Sequence, residues 1–493
     1  MLKKFLTKVF AFIIVKRIEK TYKEYSQIQE KILNSLLKKA ANTQFGQQHK
    51  FSQINNYEFF KKNVPIRDYE DFSSYISSVK KGKTNILWPG KPIYFAKTSG
   101  TTSGSKFIPI TKDSMPNHIN SSRNAFLFYI NKTGNVNILD GKAIFIQGSP
   151  ILEDLNGVSV GRLSGIAAHH VPSYLNKNKM PSFETNCIDD WEEKIDKICE
   201  ETIGENMTVI GGIPSWVKMY FERLIKRSNK ENLSHIFKNF SLYVYGGVNY
   251  KPYEKTFANL VGKKIDTIEF FPASEGFFAY QNDQNDKSLL LQYSSGIYYE
   301  FIRLKNFKKG ISKRYNLSQV ELGINYILII STNAGLWAYN TGDTVMFTSL
   351  SPPKILVTGR YKHFISAFGE HVIASEVEQS LAETSKYFKE LISEFTVVPK
   401  LDNKEKLPCH EWFIEFRSDI KKLDQFAEHL DNELCNRNSY YKDLIKGKIL
   451  KRLEIVVVKK GGFNKHMKNI GKLGEQNKIP RLSNSRHFIK GLI

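Results

Sequence analysis

"FAKTSGTTSGSKFIPIT", residues 95–111, places hydroxyl residues, glycines and one lysine between two short apolar runs. Such a loop has too little side chain to build a core. It is rich instead in backbone N–H groups, hydroxyl donors and flexible φ/ψ positions. Those are the components of a phosphate cradle. A Walker A loop would set its lysine directly after the second glycine and then open a helix. Here Ser105 separates Gly104 from Lys106, Gly100 and Gly104 stand too close together, and "FIPIT" reads as a strand with Pro109 inside it. The dinucleotide pattern G-x-G-x-x-G is absent as well. A flexible hairpin tip would account for the glycines, but not for Ser99, Thr101, Thr102, Ser103 and Lys106 together. The stretch is therefore predicted to join two strands and to bind phosphate.

The chain around it has 493 residues, too many for one core and suited to two or three domains. Hydrophobic residues make up 41% and aromatics 13%, which excludes a disordered chain by composition. The four cysteines, Cys187, Cys199, Cys409 and Cys435, have no CxxC or metal-finger spacing, and they read as reduced thiols of a cytoplasmic protein. Lysine and arginine outnumber acids 72 to 49, a formal +23. Solvated lysine-rich faces are one explanation; an anionic substrate, an acidic partner or a membrane surface are the others, and net charge alone does not choose between them. The first twenty residues, "MLKKFLTKVFAFIIVKRIEK", have a basic start and an apolar patch from Val9 to Val15. The patch is too short to span a bilayer, and no small-residue cleavage site follows it. A helix packed on the body is the first reading, and weak association with a membrane surface through residues 1–20 is the second.

From Thr21 to Ala41, Ile28, Ile32, Leu33, Leu36, Leu37 and Ala40 recur at helical spacing. An aromatic-rich segment with "VPIRDYEDF" follows, where Pro65 precedes a short helix. "KAIFIQGS", "NMTVIGG", "SLYVYGG" and "KIDTIEFF" read as buried strands, with helical periodicity in "PSWVKMYFERLIKRS" and "YKPYEKTFANLVG" between them. "SGIYYEFIRL", "NYILIIST" and "TVMFTSL" add strands without helices, which predicts a more antiparallel lobe. Beyond about Gly359 the pattern is helix, strand, strand, helix, strand, with Ser375 as the N-cap of the first helix and a basic tail after the last strand.

"TSGTTSGSKFIPIT" resembles the phosphate loop of the adenylate-forming enzymes, the superfamily of acyl-CoA synthetases and firefly luciferase. In detail it is most similar to the acyl acid amido synthetases, which conjugate auxin and jasmonate to amino acids in plants and have bacterial members. The resemblance runs from "KAANTQFGQQHKF" to "GEQNKIPRL". It implies an α/β fold with a large N-terminal domain, residues 1–358, whose sheets are of the luciferase-like type and which starts with a helical segment, 1–45. A small, mobile α+β C-terminal domain, 359–493, would follow.

The resemblance also implies a site. Ser99, Gly100, Thr101, Thr102, Ser103, Gly104 and Lys106 would hold ATP phosphates. Gly246 and Gly247 in "YVYGGVNYKPY" would offer backbone to adenine, although a simple β-turn explains a Gly–Gly pair equally well. In "FFPASEG", Ser274 and Glu275 would face the triphosphate, with Glu275 holding Mg²⁺; a hard cation takes carboxylate and phosphate oxygens together. "YNTGDTVMF" is similar to the Tyr-Arg-x-Gly-Asp element of the superfamily, which gives Tyr339 a nucleotide contact and Asp343 both ribose hydroxyls. Asn340 stands where that element has arginine. "VTGRYKHFISAFGEHV" resembles the interdomain hinge, with Arg360 on ribose or phosphate and Lys362 just beyond it; for Glu370 and His371, which follow, helix-capping or surface roles serve as well. Lys478 in "GEQNKIPRL" matches the lysine that reaches the α-phosphate and the acid during adenylation. The acyl pocket is expected partly behind the helix around Asn117 to Tyr129.

The function implied is an ATP-dependent ligase that adenylates a carboxylic acid and passes the acyl group to an amine, expected to be an amino acid. Lys478, Lys106 and Glu275 would supply the counter-charge to two anions brought together. A thioester-forming acyl-CoA ligase would share the first half-reaction. A non-catalytic basic binding protein with a degenerate site would be expected to have lost one of Lys106, Glu275, Asp343 and Lys478, and all four are present. No nucleic-acid partner is expected: no recognition helix or aromatic RNA-binding motif accompanies the basic stretches. The adjacent His169 and His170 diverge and lack zinc-motif partners.

Overall fold

The computed structural model describes residues 2–99, 105–171, 177–188, 190–247, 250, 253–307, 309–360, 364–365, 372–400, 407–446, 450–474, 478–483 and 486–492. By contacts the chain divides into two compact units, Met1–Gly247 with Gly262–Val357, and Val248–Val261 with Thr358–Ile493.

In the first unit the opening hairpin is β1 (Tyr94–Ser99) and β2 (Ser105–Ile110). They pair antiparallel with Thr98 opposite Lys106 and Ser99 opposite Ser105, so the hydroxyl-rich loop does connect two strands. After β3 (Lys142–Ile146), the short β4 (Glu153–Asp154) and β5 (Ser159–Gly161) join that hairpin in a four-stranded sheet ordered β2-β1-β5-β4. β6 (Lys179–Met180), β7 (Met207–Gly212), β8 (Leu242–Gly246) and β9 (Asp266–Ala273) run parallel with β3. β10 (Gly276–Gln281), β11 (Leu289–Leu291), β12 (Ile297–Arg303), β13 (Arg314–Asn316), β14 (Asn325–Thr332), β15 (Tyr339–Leu350) and β16 (Pro353–Arg360) continue the same sheet. Its order is β13-β12-β14-β15-β16-β11-β10-β9-β8-β7-β3-β6, twelve strands among the described residues. The change from parallel to antiparallel pairing falls at β9–β10. The alternation of strand and helix sequences predicts parallel pairing up to β9, and the helix-poor stretch after it predicts the antiparallel lobe. A four-residue helix, Leu304–Phe307, interrupts that lobe.

Helix Met115–Thr133 lies on one face of this sheet, and helix Leu2–Lys20 packs against it. Ala11, Val15, Phe128 and Ile130 share a core there with Val209, Val244, Ile268 and Tyr280. Helix Tyr25–Ala40 buries the predicted Leu33, Leu36, Leu37 and Ala40. It also buries Gln29, whose amide donates to the carbonyls of Tyr293 (2.7 Å) and Ile297 (2.8 Å) and accepts from the Tyr299 N–H (2.8 Å). A buried amide is tolerated when satisfied in this way.

The second unit contains β17 (Phe364–Ile365), β18 (Val372–Ile373), helix Ala374–Phe388, β19 (Ile392–Lys400), β20 (Cys409–Phe416), helices Leu423–Arg437 and Ser439–Lys446, β21 (Glu454–Val457) and helix Gly462–Asn469. β19 and β20 are antiparallel, and β21 runs parallel to β20. Trp412, Ile414, Phe426, Leu430 and Leu482 lie in its core. Two details differ from the sequence reading. The first helix begins at Ala374, so Ser375 sits in its first turn instead of ahead of it. The basic tail is also no loose end: Phe463 and Met467 are buried on a helix, and Val397 exchanges backbone hydrogen bonds with the tail, donating to Arg481 O and accepting from Ser483 N, both at 3.0 Å.

Candidate active site

β9 and β10 are joined by two residues, Ser274 and Glu275, because Ala273 already pairs with Gly276. The root of this hairpin is held by Asn117 on helix Met115–Thr133. Its Oδ1 accepts from the Phe277 N–H at 2.7 Å, and its Nδ2 donates to the Phe277 carbonyl at 3.1 Å. The Asn117 amide is thus spent on backbone and sets the hairpin. At the tip, the Tyr339 hydroxyl donates to Glu275 Oε1 at 3.1 Å. Glu275 and Tyr339 are therefore brought together as one constellation.

On the neighbouring strand, Gly246 pairs with Phe270. A Cβ at Gly246 would lie 2.6 Å from the Phe270 carbonyl oxygen, and Gly247 has φ +78°. Each glycine is demanded by backbone geometry alone.

Asp343 sits in a bulge. Ile327 of β14 pairs with Thr344 and Ile329 with Asn340, so three residues of β15, 341–343, oppose a single residue of its partner. The Asn340 side-chain oxygen accepts from Gly342 N, and the Thr341 hydroxyl accepts from Asp343 N, both at 3.0 Å; the same hydroxyl donates to the Leu328 carbonyl at 3.0 Å. Gly342 takes φ +81°. Bulges of this kind re-aim a side chain out of the strand alternation. Asn340, the departure from the superfamily pattern, has a clear local role here: a short amide can cap the bulge, and the longer arginine side chain has no carbonyl oxygen with which to do so.

Sequence reasoning missed the brace formed by "VPIRDYEDF". Arg67 makes a parallel bridge to the start of β15, its N–H donating to the Ala338 carbonyl (3.1 Å) and its carbonyl accepting from Asn340 N (2.7 Å). Two residues on, the Tyr69 hydroxyl accepts from Phe107 N at 2.8 Å, and the Lys106 ammonium stands 5.3 Å from the centre of the Tyr69 ring. Burial pushes the Tyr69 phenol up from its ordinary value, against the smaller opposite effect of the Phe107 hydrogen bond. The segment thereby joins the β1–β2 hairpin to the strand that carries Tyr339 and Asp343. Its orientation is reinforced by His49, stacked on Phe45 at 4.0 Å. The His49 Nδ1 meets the Phe45 carbonyl at 2.8 Å and so must donate, which leaves Nε2 to accept from Arg67 at 2.9 Å. Burial lowers the pKa of this imidazole. An irregular segment carrying both an arginine and a tyrosine between aromatic neighbours was the available signal.

His169 and His170 do diverge, the first to the Pro150 carbonyl (2.8 Å) and the second to the Tyr94 hydroxyl (3.1 Å). Gly100, Thr101, Thr102, Ser103, Gly104, Lys362, Glu370 and His371 lie outside the described residues, as does the side chain of Ser99. Ser274 is half-buried at the hairpin tip.

Arg360 and Lys478 belong to the second unit, and both are exposed. Lys478 lies three residues before the half-buried Arg481. The Arg481 guanidinium pairs with Glu394, approaches Glu378 at 3.5 Å and donates to the Tyr253 hydroxyl at 2.7 Å, which itself donates to Glu394 at 2.8 Å. Burial alone would lower the arginine pKa; Glu394, Tyr253 and Glu378 more than reverse this. The chain just beyond Lys478 is thus firmly seated on β19.

The architecture is that of the adenylate-forming ligases: a 2-hydroxyisobutyryl-CoA ligase superposes with TM-score 0.60 at 12% identity, over 94% of this chain and 90% of that one. A GH3.15 acyl acid amido synthetase superposes with TM-score 0.80 at 18% identity, over 97% and 95%. Jasmonoyl–L-amino acid synthetase JAR4 of Nicotiana attenuata is 21% identical over 95% of this chain and 93% of its own. Indole-3-acetic acid-amido synthetase GH3.15 of Arabidopsis thaliana is 35% identical over 121 residues, 24% of this chain and 20% of its own. Residues 14–168, 290–360 and 373–487 match the GH3 family N-terminal, central and C-terminal domains. The chain belongs to the GH3 family.

Proposed function

We propose that the protein is an ATP-dependent ligase that adenylates a carboxylic acid and transfers the acyl group to the amine of an amino acid, acting in the cytoplasm. What chiefly supports this is the Glu275–Tyr339 pair, on a strand that also carries the bulge-borne Asp343, in a chain that carries all three GH3 domains. In the first half-reaction a substrate carboxylate oxygen bonds to the α-phosphorus of ATP, and the bond from that phosphorus to pyrophosphate breaks. Lys106, the hydroxyl-rich loop and Lys478 balance the charge that gathers there. Asp343 offers two acceptor oxygens to the ribose diol, Gly246 and Gly247 lie along adenine, and Arg360 contacts ribose or phosphate. In the second half-reaction the amine nitrogen bonds to the acyl carbon, AMP leaves and the amine loses a proton. For this exchange we propose that the C-terminal domain, from about residue 359, moves and withdraws Lys478.

Glu275 fits a magnesium ion: it is a hard oxygen donor, oriented by Tyr339, at a tip where phosphate oxygens would complete the coordination. Mg²⁺, when bound, would neutralise charge on the β- and γ-phosphates. The test is pyrophosphate release from ATP across a panel of carboxylic acids, with mixed amino acids or with CoA, and with Lys478→Ala as control. Acid-dependent release that the variant loses, accelerated by amino acids, supports the reading. Acceleration by CoA alone would replace it with thioester formation.

A further inference from the structure

Helix Leu2–Lys20 turns its apolar side chains the wrong way for a helix that only packs on its own protein. The positions that face helix Met115–Thr133 and its surroundings are Lys4, Thr7, Ala11, Ile14, Val15 and Ile18, of which only Ala11 and Val15 are fully buried. At 100° per residue, Leu2, Phe5, Leu6, Val9, Phe12 and Ile13 fall within an arc of about 120° centred opposite that stripe. They are exposed, from 40% at Val9 to 71% at Leu2, and Phe10 beside them is 45% exposed. An outward apolar face built from large side chains is not explained by the fold of this unit.

The charges around it say what covers it. Lys3 and Lys8 flank the face, and Lys16, Arg17 and Lys20 follow in the last turns, all exposed. The one acid of the helix is Glu19, which meets Lys16 at 3.0 Å. Among the described residues no helix is long and apolar enough to cross a membrane. A helix with a large outward apolar face, basic flanks and a basic end matches the chemistry of an anionic lipid–water interface. There the aromatic and aliphatic side chains enter the acyl boundary, and lysines reach back to phosphate groups. A +23 net charge adds attraction to such a surface.

We propose that residues 2–20 are an interfacial anchor that docks the protein on bilayers containing anionic phospholipid. The proposal is independent of the ligase reading.

The experiment is sedimentation of the full chain with vesicles of phosphatidylcholine, with and without phosphatidylserine, at low and at physiological ionic strength. Wild-type protein is expected to bind the phosphatidylserine vesicles and to bind less as salt rises. The triple variant Leu6→Glu/Val9→Glu/Ile13→Glu is expected to lose at least about tenfold in partitioning. Its substitutions point to solvent, so its circular dichroism and melting should match wild type. Lys3→Gln/Lys8→Gln keeps the apolar face and should lose binding severalfold to anionic vesicles only. A Phe10→Trp variant should shift its emission to the blue on adding phosphatidylserine vesicles. Equal binding by wild type and triple variant, or no wild-type binding at physiological salt, overturns the proposal. So does light scattering that shows a dimer, dissolved by the triple variant, with no vesicle binding: the face would then be a surface for a second copy.

Discussion

The Tyr339 hydroxyl reaches Glu275 Oε1 at 3.1 Å, across 64 residues of sequence, and joins the first residue of β15 to the tip of the β9–β10 hairpin. The bond holds the carboxylate in one orientation. Tyr339→Phe should therefore cost about 1 kcal/mol of transition-state stabilisation, a severalfold fall in kcat/KM, and should raise the Mg²⁺ concentration for half-maximal rate. Glu275→Gln should fall further, by about a hundredfold or more. Steady-state rates of pyrophosphate release against Mg²⁺ check both; a Tyr339→Phe enzyme with unchanged Mg²⁺ response would show the bond to be idle.

Tyr69 couples to β2 in two ways, through its hydroxyl and through its ring. Tyr69→Phe removes only the acceptor for Phe107 N and should raise KM for ATP severalfold with little change in kcat. Tyr69→Ala also removes the surface beneath Lys106 and should lower kcat as well. The separation of the two effects in kcat and KM is the measurement.

At Gly246 a methyl group would press on the Phe270 carbonyl at 2.6 Å, and a backbone atom cannot swing aside as a side-chain end can. Gly246→Ala should destabilise the protein by about 1–3 kcal/mol. Urea unfolding reads that loss directly, and a midpoint equal to wild type would contradict the close approach of β8 and β9.

His118 on helix Met115–Thr133 is buried, and burial lowers its pKa from 6.5 to about 4. The fold therefore keeps it neutral where the unfolded chain is protonated. Its contribution is complete above pH 6.5 and is lost as the pH falls towards 4, by about 3 kcal/mol over that window. Stability curves of wild type and His118→Gln should converge as pH drops from 6.5 to 4. Parallel curves would show that the imidazole titrates alike in both states.

Much of this was legible in the sequence because it rests on local pattern. The hydroxyl-rich loop announced a hairpin, "FFPASEG" a strand end with a carboxylate, and the spacing of Leu33, Leu36, Leu37 and Ala40 a packed helix. What stayed hidden depends on long-range register. Nothing at Asn340 signals that its amide closes a bulge, since that follows from how β14 and β15 pair. The role of Asn117 stayed hidden because its partner, the Phe277 backbone, is 160 residues away. The helix Gly462–Asn469 was masked by its polar and glycine residues, which interrupt the buried Phe463, His466 and Met467.

The second unit is assembled from two separate pieces of chain, since Val248–Val261 belongs with Thr358–Ile493. During synthesis the first piece leaves the ribosome roughly a hundred residues ahead of the next. Tyr253 then waits 228 residues for Arg481, the group that binds its hydroxyl. The unit therefore cannot close its buried Tyr253–Glu394–Arg481 network until Arg481 itself has been translated. A nascent chain stopped short of Arg481 would lack the guanidinium that pairs with Glu394 and approaches Glu378, so Lys478 is translated before the contacts that seat the chain beyond it.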